Sequence, residues 1–213
     1  MLTPVKPPAV PAGNAPVTTI DSRSSRAAAR GFTFGMIDTM PRTIGYHVVK
    51  SGYGLWLPGD DRGSWSEAWD AEIGFIEPHA LHEGDPVRQR MARERMIHPP
   101  VHLTDAMMDA VAAALASCVD QSGGGLSIVA VTIQPTHMHL LIPYSGRDIH
   151  GTARWIADQT TKDVHRNTDH LGPIWSKGKW CSYVFDQSHW HNAMQYIQRH
   201  DPAARLLSFV TPM

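Results

Sequence analysis

The 213-residue sequence predicts an α+β domain in which a mostly antiparallel sheet is covered by helices. Three observations carry that expectation. The elements run strand, helix, helix, two strands, helix, hairpin, helix, unlike the strict alternation that builds a parallel sheet. The β-branched stretch from Leu126 to Pro143 is interrupted at Gln134-Pro135-Thr136, as two strands joined by a turn would be. Thr104-Asp105 caps one helical stretch, and Pro99-Pro100, Gly123-Gly124-Gly125 and Asp201-Pro202 close three of them.

Residues 1–40 are rich in Pro, Ala, Ser and Thr, with Pro4, Pro7, Pro8, Pro11 and Pro16 among the first twenty. Such a stretch has too little apolar periodicity to repay its ordering entropy, so it is expected to be a flexible tail. The folded domain is expected over 41–205, with a second short tail over 206–213. Thr43 to Lys50 is the first strand, followed by a Gly- and Pro-punctuated loop through Gly63. Pro86 to Ile97 lacks breakers after its opening proline and favours a short helix, which Pro99-Pro100 stops. Thr104-Asp105 caps a longer helix with Met107, Met108, Val111, Ala112, Leu115 and Val119 along one face, ended by Gly123-Gly124-Gly125. Asp148 opens a third helix, reaching about Arg166 and carrying Ile149, Ala153, Ile156 and Val164 on its apolar side. Ile174 to Asp186 reads as a hairpin turning at Lys177-Gly178-Lys179, and Gln187 to His200 as the last helix, closed by Asp201-Pro202.

Composition narrows the function. Collagen, coiled coil and wholesale disorder do not fit 42% apolar and 18% charged residues. There is no apolar run long enough to cross a bilayer and no secretory leader, so a cytoplasmic protein is expected. Cys118 and Cys181 make neither a disulfide framework nor a Cys-x-x-Cys pair. Thirteen histidines stand against those two cysteines, so a bound metal should have imidazole and oxygen ligands. The net charge of -1 hides an uneven distribution: between Leu57 and Asp85 eight acids face Arg62 alone, leaving the rest of the chain at +6. That basic remainder is compatible with a phosphate-holding groove.

His137-Met138-His139 lies in an apolar strand directly after Pro135-Thr136. Side chains alternate along a strand, so the two imidazoles share a face while Met138 and Leu140 point to the core. This is half of a metal site. In the last helix, Tyr196 and His200 are separated by one turn, with Asn192 a turn earlier, so one helix face could supply a third ligand and a phenol.

These residues resemble a known family. Thr136-His-Met-His-Leu-Leu-Ile142 resembles the His-hydrophobic-His strand of the single-tyrosine HUH transposases, and Tyr196-Ile-Gln-Arg-His-Asp-Pro202 is similar to their C-terminal helix, in particular that of the REP-associated branch. Tyr53-Gly-Leu-Trp-Leu-Pro-Gly-Asp-Asp-Arg-Gly63, Arg93-Glu-Arg-Met-Ile-His-Pro-Pro-Val101 and Pro173-Ile-Trp-Ser-Lys177 are similar to segments of a bacterial subgroup of the superfamily. The resemblance spans about 43–202 with its motifs in order.

The resemblance implies an HUH endonuclease fold with a ferredoxin- or RRM-like core. It implies that His137, His139 and a third ligand, here His200, hold Mg²⁺ or Mn²⁺, and that Tyr196 attacks a scissile phosphate in single-stranded or hairpin DNA to give a 5′-phosphotyrosine. Relatives act as monomers or homodimers. Two positions depart from the pattern: His200 stands where the family has Asn or Gln, and Thr136 where the branch commonly has Asn. A third imidazole is a softer ligand that shifts preference toward Mn²⁺ or Zn²⁺. Trp56, Arg62, Arg154, Lys162, Lys177 and Lys179 are the candidates for DNA contact.

The rival readings are fewer. A histidine-triad nucleotide hydrolase would need a histidine at 141, which is Leu. A structural zinc domain would need a closed set of four ligands. A domesticated relative that binds hairpin DNA without cleaving it keeps the same residues and is the alternative to a transposase.

Overall fold

The computed structural model describes residues 42–65, 81–200 and 205–207. The expected tail over 1–40 and residues 66–80, with four of the eight acids of the acidic block, lie outside the described residues. Five antiparallel strands form one sheet: β1 (Gly45–Ser51), β4 (Ala130–Ile133), β5 (His137–Pro143), β6 (Trp180–Val184) and β7 (Arg205–Leu207), in the order β6-β1-β5-β4-β7. A two-stranded ribbon pairs β2 (Ser64–Trp65) with β3 (Leu81–His82). The helices are α1 (Pro86–Glu94), α2 (Asp105–Gln121), α3 (Ile149–Asn167) and α4 (Gln187–Gln198). The α+β expectation holds, and β7 carries the sheet to Leu207.

The helix starts follow local chemistry. The side chains of Asp85, Thr104, Asp148 and Asp186 accept from amides of the first turns of α1, α2, α3 and α4, satisfying donors that a helix start leaves open. The two central strands form a tight hairpin, in which the Gln134 amide donates to the His137 carbonyl at 2.8 Å.

Period-two alternation divides the sheet into two faces. Val48, Val131, Ile133, Met138, Leu140 and Ile142 point to one face and form the main core with α2 and α3. Leu141 and Ala130 point to the other, where Ala193 and Ile197 of α4 seal against them with Trp190 and Met194 at the margin. Gly45 admits α4 this closely: a Cβ there would collide with the Trp190 ring and lie 2.8 Å from the Ile142 carbonyl oxygen. The α4 face is thus partly apolar seal and partly histidine.

The structure differs from the sequence reading in four places, the first being that the helix expected over Pro86 to Ile97 ends at Glu94. Ile174 to Asp186 is not a hairpin. Only Trp180–Val184 is a strand, and it pairs with β1, while Trp175 makes a single bridge to Gly52. The reason is Lys50, which is 7% exposed and whose ammonium donates to the carbonyls of Ser176, Lys177 and Gly178, leaving these groups unavailable to a neighbouring strand. The last helix ends at Gln198, so His200 lies just beyond it. The first strand of the central pair begins at Ala130, not Leu126.

Candidate metal centre

Strand register assembles the site. His137 and His139 lie on the α4 face of β5, and Thr132 and Val49 are the cross-strand partners of His139. On β1, His47 is two residues before Val49 and therefore on that same face. α4 is held against Leu141 and Ala130 through Ala193 and Ile197, which leaves Tyr196 beside the histidines at the edge of the seal.

His137, His139 and His200 each offer one ring nitrogen, all within 4.8 Å of one another. The rings of His139 and His200 stack at 4.6 Å between centroids, and that of His137 stands edge-on to His139 at 4.6 Å. Nε2 of His139 and Nε2 of His200 are buried without a hydrogen-bond partner among the described residues, as is the Thr132 hydroxyl next to them. A buried polar atom without a partner costs free energy. A cation at this point would satisfy both nitrogens, so the donor set fits one.

The outer nitrogens of His139 and His137 are occupied. His139 Nδ1 lies 2.9 Å from His47 Nε2, and His137 Nδ1 lies 2.8 Å from the Thr136 hydroxyl. With Nε2 as the ligand atom, each ring carries its hydrogen on Nδ1 and donates it to that partner, which fixes both tautomer and ring orientation. The Thr136 hydroxyl is thus in place to orient the His137 ring.

Burial keeps the imidazoles neutral. It pulls His47 and His137 down to about 4, aided for His47 by His189 and His200 and for His137 by His200 and Arg62. Burial also lowers His139, reinforced by His137, His47 and His200, and it lowers His200. Neutral imidazole is the form that ligates a metal, so the set is ready near pH 7.

Tyr196 completes the cluster. Its ring lies 4.8 Å from that of His200, 5.4 Å from that of His139 and 6.0 Å from that of His47, centroid to centroid, each edge-on. It is 50% exposed, so the side chain is half open to solvent.

The candidates for DNA contact divide into three. Trp56 and Arg62 pair with each other: the guanidinium lies 4.6 Å above the indole, Arg62 donates to Asp60 and to the Leu55 carbonyl, and Trp56 Nε1 donates to the Gly63 carbonyl. Arg154, Lys177 and Lys179 come together along one groove. Lys162 is exposed on α3, next to Thr161 but not among the residues that line the groove. His47 was not legible as a site residue, because its role depends on the β1–β5 register and not on any spacing in its own segment. Leu141, where a histidine triad would need its third imidazole, is fully buried under α4.

No family of known sequences matches this chain, and neither does any curated protein. Among solved structures, the chain is similar to a REP-associated tyrosine transposase bound to a REP hairpin. That similarity is at 14% identity and a TM-score of 0.42, over 77% of this chain and 70% of the other. It is also similar to a protein of Deinococcus radiodurans R1 assigned as a transposase, at 14% identity and a TM-score of 0.39, over 81% of this chain and 96% of the other.

Proposed function

We propose that this protein nicks and rejoins single-stranded DNA carrying a hairpin, using Tyr196 as the nucleophile beside a divalent cation held by His137, His139 and His200. The observation that carries the reading is a cluster of three neutral imidazoles, two with unsatisfied buried Nε2 atoms, of which His139 and His200 stand against the ring of a half-exposed tyrosine. A tyrosine lodged in the core would not be open to solvent, and histidines serving only the fold would have partners on both nitrogens.

The cation would act as a Lewis acid toward the scissile phosphate. The chain's own part is as follows. The seal of Ala193 and Ile197 on the sheet fixes α4, and with it the Tyr196 oxygen relative to the histidines. That oxygen attacks phosphorus and the bond from phosphorus to the 3′ oxygen breaks. The phenolic proton leaves to solvent and the departing 3′ oxygen takes one up, giving a 5′-phosphotyrosine and a free 3′-hydroxyl. Attack by a 3′-hydroxyl on the phosphotyrosine reverses these bond changes and rejoins strands with no nucleotide cofactor. His47 and Thr136 hold the His139 and His137 rings in the ligating orientation. The third imidazole favours Mn²⁺ over Mg²⁺.

The test is to incubate a labelled pool of hairpin-flanked single strands with the protein and Mn²⁺ and run a denaturing gel. A covalent adduct that disappears with chelator and with Tyr196→Phe is expected. Binding without any adduct would favour a hairpin-binding relative that does not cleave.

A further inference from the structure

Trp180, at the start of β6, is placed to do something that the core does not require of it. It is the cross-strand partner of Val49, whose other partner is His139. Trp180, Val49 and His139 thus form one row across three strands, on one face of the sheet. With strands about 4.8 Å apart, the Trp180 backbone stands about 10 Å from the strand that carries His137 and His139, within reach of a nucleotide next to the scissile phosphate. It is 48% exposed on the edge strand of the sheet. Trp56, also exposed, is covered by the Arg62 guanidinium; among the described residues Trp180 has no such cover.

Directly before Trp180 in sequence is the segment that Lys50 pins. The buried ammonium, bonded to the carbonyls of Ser176, Lys177 and Gly178, holds this loop together with the bonds of Ser176 to the carbonyls of Ser51 and Gly52, and so presents Lys177, Lys179 and Trp180 in a set arrangement at the sheet edge. Around that edge, on the α3 side, lies a groove of about 460 Å³ that takes in Arg154, Lys177 and Lys179, with Asp158 the one acid among its lining residues. A stacking surface, a pinned basic turn and a basic groove therefore follow one another around the β6 edge, beginning beside the histidines.

We propose that this is a track for single-stranded DNA: the strand leaves the metal centre across β6, stacks one base on Trp180, and runs its phosphates past Lys179 and Lys177 toward Arg154. The proposal rests on the reading that the substrate is single-stranded DNA, and adds which way that strand runs and what holds it. Stacking on an aromatic face is tolerant of sequence, since every base has a π-face, while the cations take the backbone charge. Base identity would then be read elsewhere, and the track would hold any strand of the right length.

The experiment measures binding of the full chain to fluorescein-labelled dT15 by anisotropy, with EDTA present so that no cleavage occurs, over a series of salt concentrations. Trp180→Leu is expected to weaken binding about tenfold at unchanged salt slope, and Trp180→Phe to recover most of the loss. The combined Arg154→Gln, Lys177→Gln and Lys179→Gln variant is expected to lower the slope of log K against log salt by about 2, from about 0.7 for each phosphate contact. Unchanged affinity for Trp180→Leu together with an unchanged slope for the triple variant would overturn the track. The readout requires no cleavage, so failure of the track and failure of adduct formation are separate results.

Discussion

Replacing His47 with phenylalanine tests whether the buried histidine pair serves the metal centre. His47 Nε2 is 2.9 Å from His139 Nδ1, and the two rings stack at 5.1 Å between centroids. Phenylalanine keeps the ring and its packing and removes only the acceptor, so His139 loses the partner that holds Nε2 toward the site. Losing such an outer partner costs about 10- to 100-fold in metal affinity, or about 1.4–2.7 kcal/mol. The assay is a Mn²⁺ titration at pH 7.5 followed by the electron paramagnetic resonance of free Mn²⁺, with circular dichroism to confirm the fold. His47→Phe should weaken Mn²⁺ binding by that factor, and His47→Gln, whose amide oxygen can accept from Nδ1–H, should recover part of it. Affinity within twofold of the parent for a folded His47→Phe would refute the argument that His47 orients the ligand.

Other outcomes follow from the same geometry. His200→Ala should abolish Mn²⁺ binding in that titration, and His200→Asn should retain it while raising Mg²⁺ affinity relative to Zn²⁺, since an oxygen donor is harder than imidazole. Ile197→Ala, which removes a fully buried side chain from the α4 seal, should cost about 2–5 kcal/mol in urea unfolding and slow adduct formation, because the same helix carries Tyr196. Gly45→Ala drives a methyl into Trp190 and should cost about 1–3 kcal/mol by the same measurement. In cation-free buffer, stability should fall on acidification. An unfolded histidine takes its proton near pH 6.5, but buried His47 and His137 do so only near 4, so stability is complete above about 6.5 and is lost as pH falls toward 4. At pH 5 the loss is at most about 2 kcal/mol for each of the two, read from urea midpoints at pH 7.5 and pH 5.

What could be read from the sequence was whatever local period and capping dictate. The His137/His139 pair declares itself through strand alternation, and Thr104, Asp148 and the Gln134–Thr136 turn declare element ends through their side chains. What stayed hidden depends on contacts distant in sequence. Lys50 caps carbonyls more than 120 positions away and turns an expected hairpin into a pinned loop with a single edge strand. His47 becomes a partner of His139 only through the register of β1 on β5, at a separation of 92 residues. Trp180 reads as one more aromatic residue until that register places it in line with His139. Tyr196 and His200 do meet, but across the end of α4 and not along an unbroken helix face.

The central claim is that Tyr196 forms a bond to DNA beside a three-histidine metal centre. Its most direct test is mass spectrometry of the digested product after incubation with a pool of hairpin-flanked single strands and Mn²⁺. The account predicts a peptide containing Tyr196 that carries a nucleotide through its phenolic oxygen, absent when chelator is added. A nucleotide on any other residue, or a cation-independent adduct, would contradict it.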